Sequence, residues 1–264
     1  AGIQHVLWPS SSDVDLPVLI QQPQANSSGT SRESGLSEGE PSEPIASGAL
    51  VSPISSVDKA TPTGGTQPLV QTREDALAEL AQRVAQCTLC PELVQNRTQT
   101  VFGVGNPYSE LVFIGEAPGV DEDKQGFPFV GRAGQLLTAM ITNGMGMRRE
   151  DVYICNILRC RPPNNRTPTK DEADRCRPWL DATLAVIQPK YICCLGNVAA
   201  QNLLKTDAGI GKLRGKVWEY NQAKVVCTYH PAFLLRNPAM KREAWEDLKL
   251  LLQTMGRPIP RRSS

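Results

Sequence analysis

Four short apolar runs, Leu111–Gly115, 152–156, Tyr191–Leu195 and 224–228, stand at wide intervals, with helical stretches near 134–143, 171–187 and 197–204 between them. Strands joined by crossovers that long pair in parallel, and the connecting helices cover both faces of the sheet. The alternation predicts an α/β fold of three layers, α/β/α, around a central four-stranded parallel sheet. Such sheets bind ligands beyond the carboxyl ends of their strands. The segments to read for chemistry are therefore 116–119, 156–163, 196–197 and 229–236. An amphipathic helix near 239–255 closes the domain.

The folded part begins abruptly. Residues 1–72 contain one aromatic, Trp8, among 28 Ser, Gly or Pro, too little apolar surface to offset the entropy of ordering them. They read as a disordered acidic tail, with Arg32 and Lys59 against seven acids; the remaining residues carry +6 of the chain's net +1. From Arg73 a helical period appears in Ala76, Leu77, Leu80, Ala81 and Val84, with Thr72 as its N-cap. The folded domain is expected over 73–256, and 257–264 form a short basic tail with Arg257, Arg261 and Arg262. A net charge of +1 disfavours a uniformly basic nucleic-acid coat. No run approaches the roughly 18 apolar residues of a membrane span, and the first twenty residues lack a basic start followed by an apolar core. The expectation is a cytoplasmic protein without membrane contact.

Eight cysteines divide by position. Cys155, Cys193, Cys194 and Cys227 fall inside the apolar runs and read as small core hydrophobes. Cys87 and Cys90 form a C-x-x-C pair after the first helix, while Cys160 and Cys176 flank a Pro-rich loop. Four thiolates so placed can close a tetrahedral cage suited to zinc or to an iron–sulfur cluster, and spacing leaves the two tied.

The strand ends hold the remaining candidates. Glu116 follows the first run, where a carboxylate is costly unless used. Asp121 and Asp123 read as solvated acids of the following Gly-rich turn. Phe129, in Gly126-Phe127-Pro128-Phe129-Val130-Gly131, reads equally as a core plug or as a stacking platform. Asn156 ends the second run and carries the acceptor and donors needed to read a base edge. His230 follows the fourth run and is the one histidine outside the tail, so it suits hydrogen-bond donation or proton transfer rather than a two-histidine metal site.

Together, Cys87-x₂-Cys90, Gly115-Glu116-Ala117-Pro118-Gly119, Pro128-Phe129-Val130-Gly131, the segment from Asn156 to Arg166, and Tyr229-His230-Pro231-Ala232 resemble the family 4 uracil-DNA glycosylases, the iron–sulfur branch of their superfamily. The resemblance runs from about Glu74 to Met255. It implies a [4Fe–4S] cluster on Cys87, Cys90, Cys160 and Cys176, and a monomer acting on uracil in single- or double-stranded DNA of the bacterial cytosol or nucleoid. It implies that Glu116 and His230 are catalytic, the first beside the sugar and the second facing uracil O2. Ala117, Gly119, Glu122, Phe129 and Asn156 would hold the base, with Glu122 crowding its C5 position. Leu234, Leu235 and Arg236 would enter the duplex where the base has left. The family 1 aspartate is Ala117 here, which leaves the carboxylate function to Glu116. The loop 209–216 lacks the inserted basic-histidine stretch of relatives that trap DNA covalently, so turnover is expected. Two other readings remain: a non-catalytic DNA-binding or polymerase-associated module, and a redox sensor with a vestigial pocket.

Overall fold

Helix α1 (Arg73–Ala85) starts where the apolar period starts. Its cap is reciprocal: the Thr72 hydroxyl accepts from the Asp75 amide at 3.1 Å, and the Asp75 carboxylate accepts from the Thr72 amide at 3.3 Å. That arrangement satisfies amides which a helix start otherwise leaves unpaired. The computed structural model describes residues 71–260. The expected acidic tail therefore lies, but for Gln71 and Thr72, outside the described residues, as do Arg261 and Arg262 of the basic tail.

After α2 (Pro91–Asn96) come β1 (Val104–Gly105), β2 (Leu111–Gly115), α3 (Val120–Gln125) and α4 (Arg132–Ala139), which continues into a π turn at Met140–Gly144. A 3-10 turn at Arg149–Asp151 leads into β3 (Tyr153–Asn156), followed by α5 (Lys170–Ile187), β4 (Tyr191–Leu195), α6 (Asn197–Leu204) and α7 (Ile210–Leu213). Among the described residues β5 (Val217–Tyr220), β6 (Ala223–Thr228), α8 (Pro231–Arg236) and α9 (Lys241–Thr254) follow.

The four apolar runs form β2, β3, β4 and β6, and their three mutual pairings are parallel. The expected four-stranded sheet is nevertheless too small. The sheet is mixed and six-stranded, in the order β1-β3-β2-β4-β6-β5, with an antiparallel strand at each edge. Neither edge strand has a continuous apolar run. β1 is two residues long, and β5 alternates exposed and half-buried residues before the chain turns back into β6 through Asn221 at φ 51°.

Alternation along the central strands separates two cores. Val112, Ile114, Cys155, Ile192, Cys194, Val225 and Cys227 face α1, α2, α5 and α6. Leu111, Phe113, Ile154, Cys193, Leu195 and Val226 face α4, the π turn and α9. Gly115 pairs with Asn156, Ile114 with Cys194, and Leu195 with Thr228, so these strands end at nearly one level. From β2 the chain crosses to β3 on one side and then to β4 on the other, which opens a crevice at that reversal. Among the described residues no helix is long and apolar enough to cross a membrane.

Candidate active site and cysteine centre

One cavity opens above these strand ends and is lined by Glu116, Ala117, Gly119, Glu122, Phe129, Asn156, His230 and Arg236, together with Arg166 and Tyr229. Segments far apart in sequence meet because the strands end level.

Glu116, the first residue beyond β2, is half-buried, and burial raises its pKa above the ordinary carboxylate value. Among the described residues nothing donates a hydrogen bond to its carboxylate, which leaves it available to a ligand or water. Asn156 ends β3 and is 1% exposed, and among the described residues its Oδ1 has no partner. A buried acceptor left open in this way costs free energy unless a donor arrives. Glycine at its cross-strand partner keeps both side chains in place: a Cβ on Gly115 would stand 2.4 Å from Asn156 Oδ1 and 2.5 Å from Phe129 Cζ.

Phe129 combines its two sequence readings. It is 6% exposed and packs in the core beneath α4, yet it also lines the cavity, its ring centroid 5.6 Å from that of His230. Its backbone is left-handed, with φ 55°, a region costly for a bulky side chain. Glu122 reaches the cavity, but its carboxylate is committed to the main chain: Oε1 accepts from Val130 and Gly131, both at 3.0 Å, and Oε2 from Gly119 at 3.1 Å. It fastens the Gly119 turn to the Phe129 loop, a task that its sequence position did not disclose.

His230 is the N-cap of α8, and its Nδ1 accepts from the Ala232 amide at 3.1 Å. Burial, and secondarily Arg236, lowers its pKa to about 4. The ring is therefore neutral at neutral pH, and with Nδ1 accepting, its proton resides on Nε2. Gly196 makes room for this: at φ 90°, a Cβ there would stand 2.9 Å from His230 Cβ.

Two expectations need correction. Leu234 is 1% exposed and turned into the interior, so it does not stand with Leu235 (half-buried) and Arg236 (exposed) as a DNA-facing group. Asp123 is not a solvated acid; it is 2% exposed and accepts from the Thr98 amide at 2.9 Å.

A second hollow, lined by Cys87, Cys90, Cys160 and Cys176, lies among Val84, Leu93, Leu158 and Trp179. Burial raises the thiol pKa of Cys90 and Cys160, and that of Cys176 to about 12. After burial, Cys90 feels Cys160 and then Cys87, as sulfurs sharing one space should. Arg97 Nη1 donates to Cys160 Sγ at 2.9 Å, and the Arg159 amide donates to Cys176 Sγ at 3.4 Å. Cys155, Cys193, Cys194 and Cys227 are fully buried in the sheet.

Arg159 was missed by the sequence reading. Its side chain is 1% exposed, donating to Asn156 O and Thr183 Oγ1, each at 3.1 Å, and lying over the Phe102 ring at 5.3 Å. It ties the main chain at the end of β3 to the helix that carries Cys176. Only the strand-end loop containing it was a signal.

A model of the uracil DNA glycosylase superfamily matches residues 102–249. The type-4 uracil-DNA glycosylase of Archaeoglobus fulgidus is 43% identical over 194 residues, which cover 70% of this chain and 96% of that protein. That of Thermotoga maritima is 46% identical over 182 residues, 67% of this chain and 94% of the relative. That of Sulfurisphaera tokodaii is 43% identical over 183 residues, with 66% and 83% covered. This chain belongs to the uracil-DNA glycosylase superfamily and, within it, to the type-4 uracil-DNA glycosylases.

Proposed function

We propose that this chain binds a uracil flipped out of DNA and hydrolyses its N-glycosidic bond, leaving an abasic site for repair. The observation that carries the substrate reading is the open acceptor of Asn156, buried at the bottom of the cavity. Uracil offers it the N3–H donor and presents O4 to the amide nitrogen; cytosine has no hydrogen on N3 and an amine at C4, and mismatches both. Phe129 supplies a face for the flipped base to stack on.

Breaking the bond leaves negative charge on uracil and positive charge on the sugar. Neutral His230 directs Nε2–H to uracil O2, a preorganised donor worth about 3 kcal/mol where charge develops. The same ring is held by the Ala232 amide, so its donor needs no reorientation during the reaction. Glu116 stands beside the sugar to position water and offset the cationic charge. Arg236, exposed at the rim, meets DNA where the base has left.

Cys87, Cys90, Cys160 and Cys176 hold a [4Fe–4S] cluster in this reading. What supports it is the convergence on one hollow of four thiols, Cys160 and Cys176 buried and Cys87 and Cys90 half-buried, and N–H donors already aimed at two sulfurs. Among the described residues no three Cys, His, Asp or Glu side chains are grouped as a single metal ion requires. The group, when bound, supplies a tie between the segment after α1 and the two ends of the 160–176 segment.

The test is incubation with duplex and single-stranded DNA carrying one uracil, followed by alkaline cleavage. Scission at the uracil position is expected; intact strands at stoichiometric enzyme would refute the reading.

A further inference from the structure

The left-handed backbone of Phe129 needs something to hold it, since a bulky residue at φ 55° relaxes elsewhere unless its surroundings forbid it. Packing supplies part of the restraint: a Cβ on Gly134 would stand 1.8 Å from Phe129 O, so this carbonyl is pressed against the start of α4. The rest comes from a residue twenty positions away. Arg149, in the 3-10 turn before β3, donates from Nη2 to Pro128 O at 2.9 Å and to Phe129 O at 3.1 Å. Its Nη1 donates to Thr138 Oγ1 on α4 at 2.9 Å. Among the described residues no carboxylate pairs with it. A half-buried guanidinium without a counter-ion is an expensive way to gain stability, and here it is spent on two consecutive carbonyls of the strained loop.

We infer that Arg149 is a positioning residue for base binding: it clamps the 128–129 carbonyls so that the Phe129 ring stands in the cavity beside His230. It touches no base and acts through Phe129. This inference rests on Phe129 being the stacking platform, and the two can fail separately.

The experiment measures affinity for a duplex carrying a non-cleavable 2′-fluoro-deoxyuridine, relative to the same duplex with thymidine, and single-turnover rates at saturating enzyme. It compares wild type, R149M, R149K, F129A and R149M/F129A. R149M should lose about tenfold in uracil-dependent affinity, in the range of one stacking contact, with a smaller change in the saturated rate. R149K keeps the charge without the fork and should fall between wild type and R149M. The double variant should bind no worse than F129A alone, because a clamp has no effect once the ring it holds is gone. Full affinity in R149M, or a loss that adds to that of F129A, would overturn the clamp. If R149M is insoluble, R149K decides, since unchanged affinity there refutes the fork. F129A binding as tightly as wild type would instead refute the stacking reading.

Discussion

Protonating His230 perturbs the site without changing the sequence. Burial, with Arg236 adding to it, brings the pKa from 6.5 to about 4. An imidazolium also could not accept from the Ala232 amide, because both of its nitrogens donate. At 1.36 kcal/mol per pKa unit the depression corresponds to about 3 kcal/mol, an upper figure because the ring keeps some contact with cavity water. Between these two values the unfolded chain takes up a proton that the folded chain refuses, so stability falls as pH drops from 6.5 towards 4. Above pH 6.5 the ring is neutral in both states and the effect vanishes. The chain has two histidines, so long-range nitrogen–proton NMR can follow His230, with H230Q leaving His5 alone in the spectrum. The expected result is an Nε2–H tautomer unchanged from pH 8 to 5, and a wild-type urea midpoint that falls more steeply below pH 6.5 than that of H230Q. A midpoint near 6.5, or an Nδ1–H tautomer, would refute the reasoning and remove the donor assigned to uracil O2. H230A should then be tested for a roughly hundredfold slower single turnover at nearly unchanged DNA affinity.

Three further perturbations address the rest of the site. Glu116 has its pKa raised by burial and should set the acid limb of the single-turnover rate, with activity lost as pH falls through a midpoint above 4.5; E116Q should be slow and lack that limb. G115A, whose Cβ would crowd both Asn156 and Phe129, should keep its circular dichroism spectrum but lose uracil affinity by about tenfold, while a normal affinity would show that the pocket is looser than described. C160A should lose iron and soluble yield together; C193A, deep in the core beneath α4, should lower the melting temperature alone, and equal iron loss in both would undo the division of the cysteines.

The central strands were legible because parallel strands are buried on both faces and so appear as unbroken apolar runs. The edge strands were not, since one is two residues long and the other half-exposed. Asn156, Glu116 and His230 stood out as polar residues at the ends of such runs, and the structure places all three on one cavity. Their supports were hidden. Arg149 lies in a charged stretch, Arg148 to Asp151, and nothing local ties it to Phe129. Asp123 reads as a solvated acid, although its partner is an amide 25 positions earlier in the chain. Leu234 belongs to a motif that resemblance assigned to DNA, and only its burial shows otherwise.

The level ends of β2, β3, β4 and β6 restrict where this chain can change length. One residue inserted in β4 would exchange Cys193 and Cys194 between the two cores and lift Gly196 about 3.3 Å from its contact with His230. The same insertion in the 205–209 connection after α6, where Lys205, Asp207 and Gly209 are exposed, would be absorbed at lower cost. Among chains that share this chemistry, insertions and deletions should therefore collect in the crossovers, and the intervals inside the four strands should stay fixed even where the residues filling them differ.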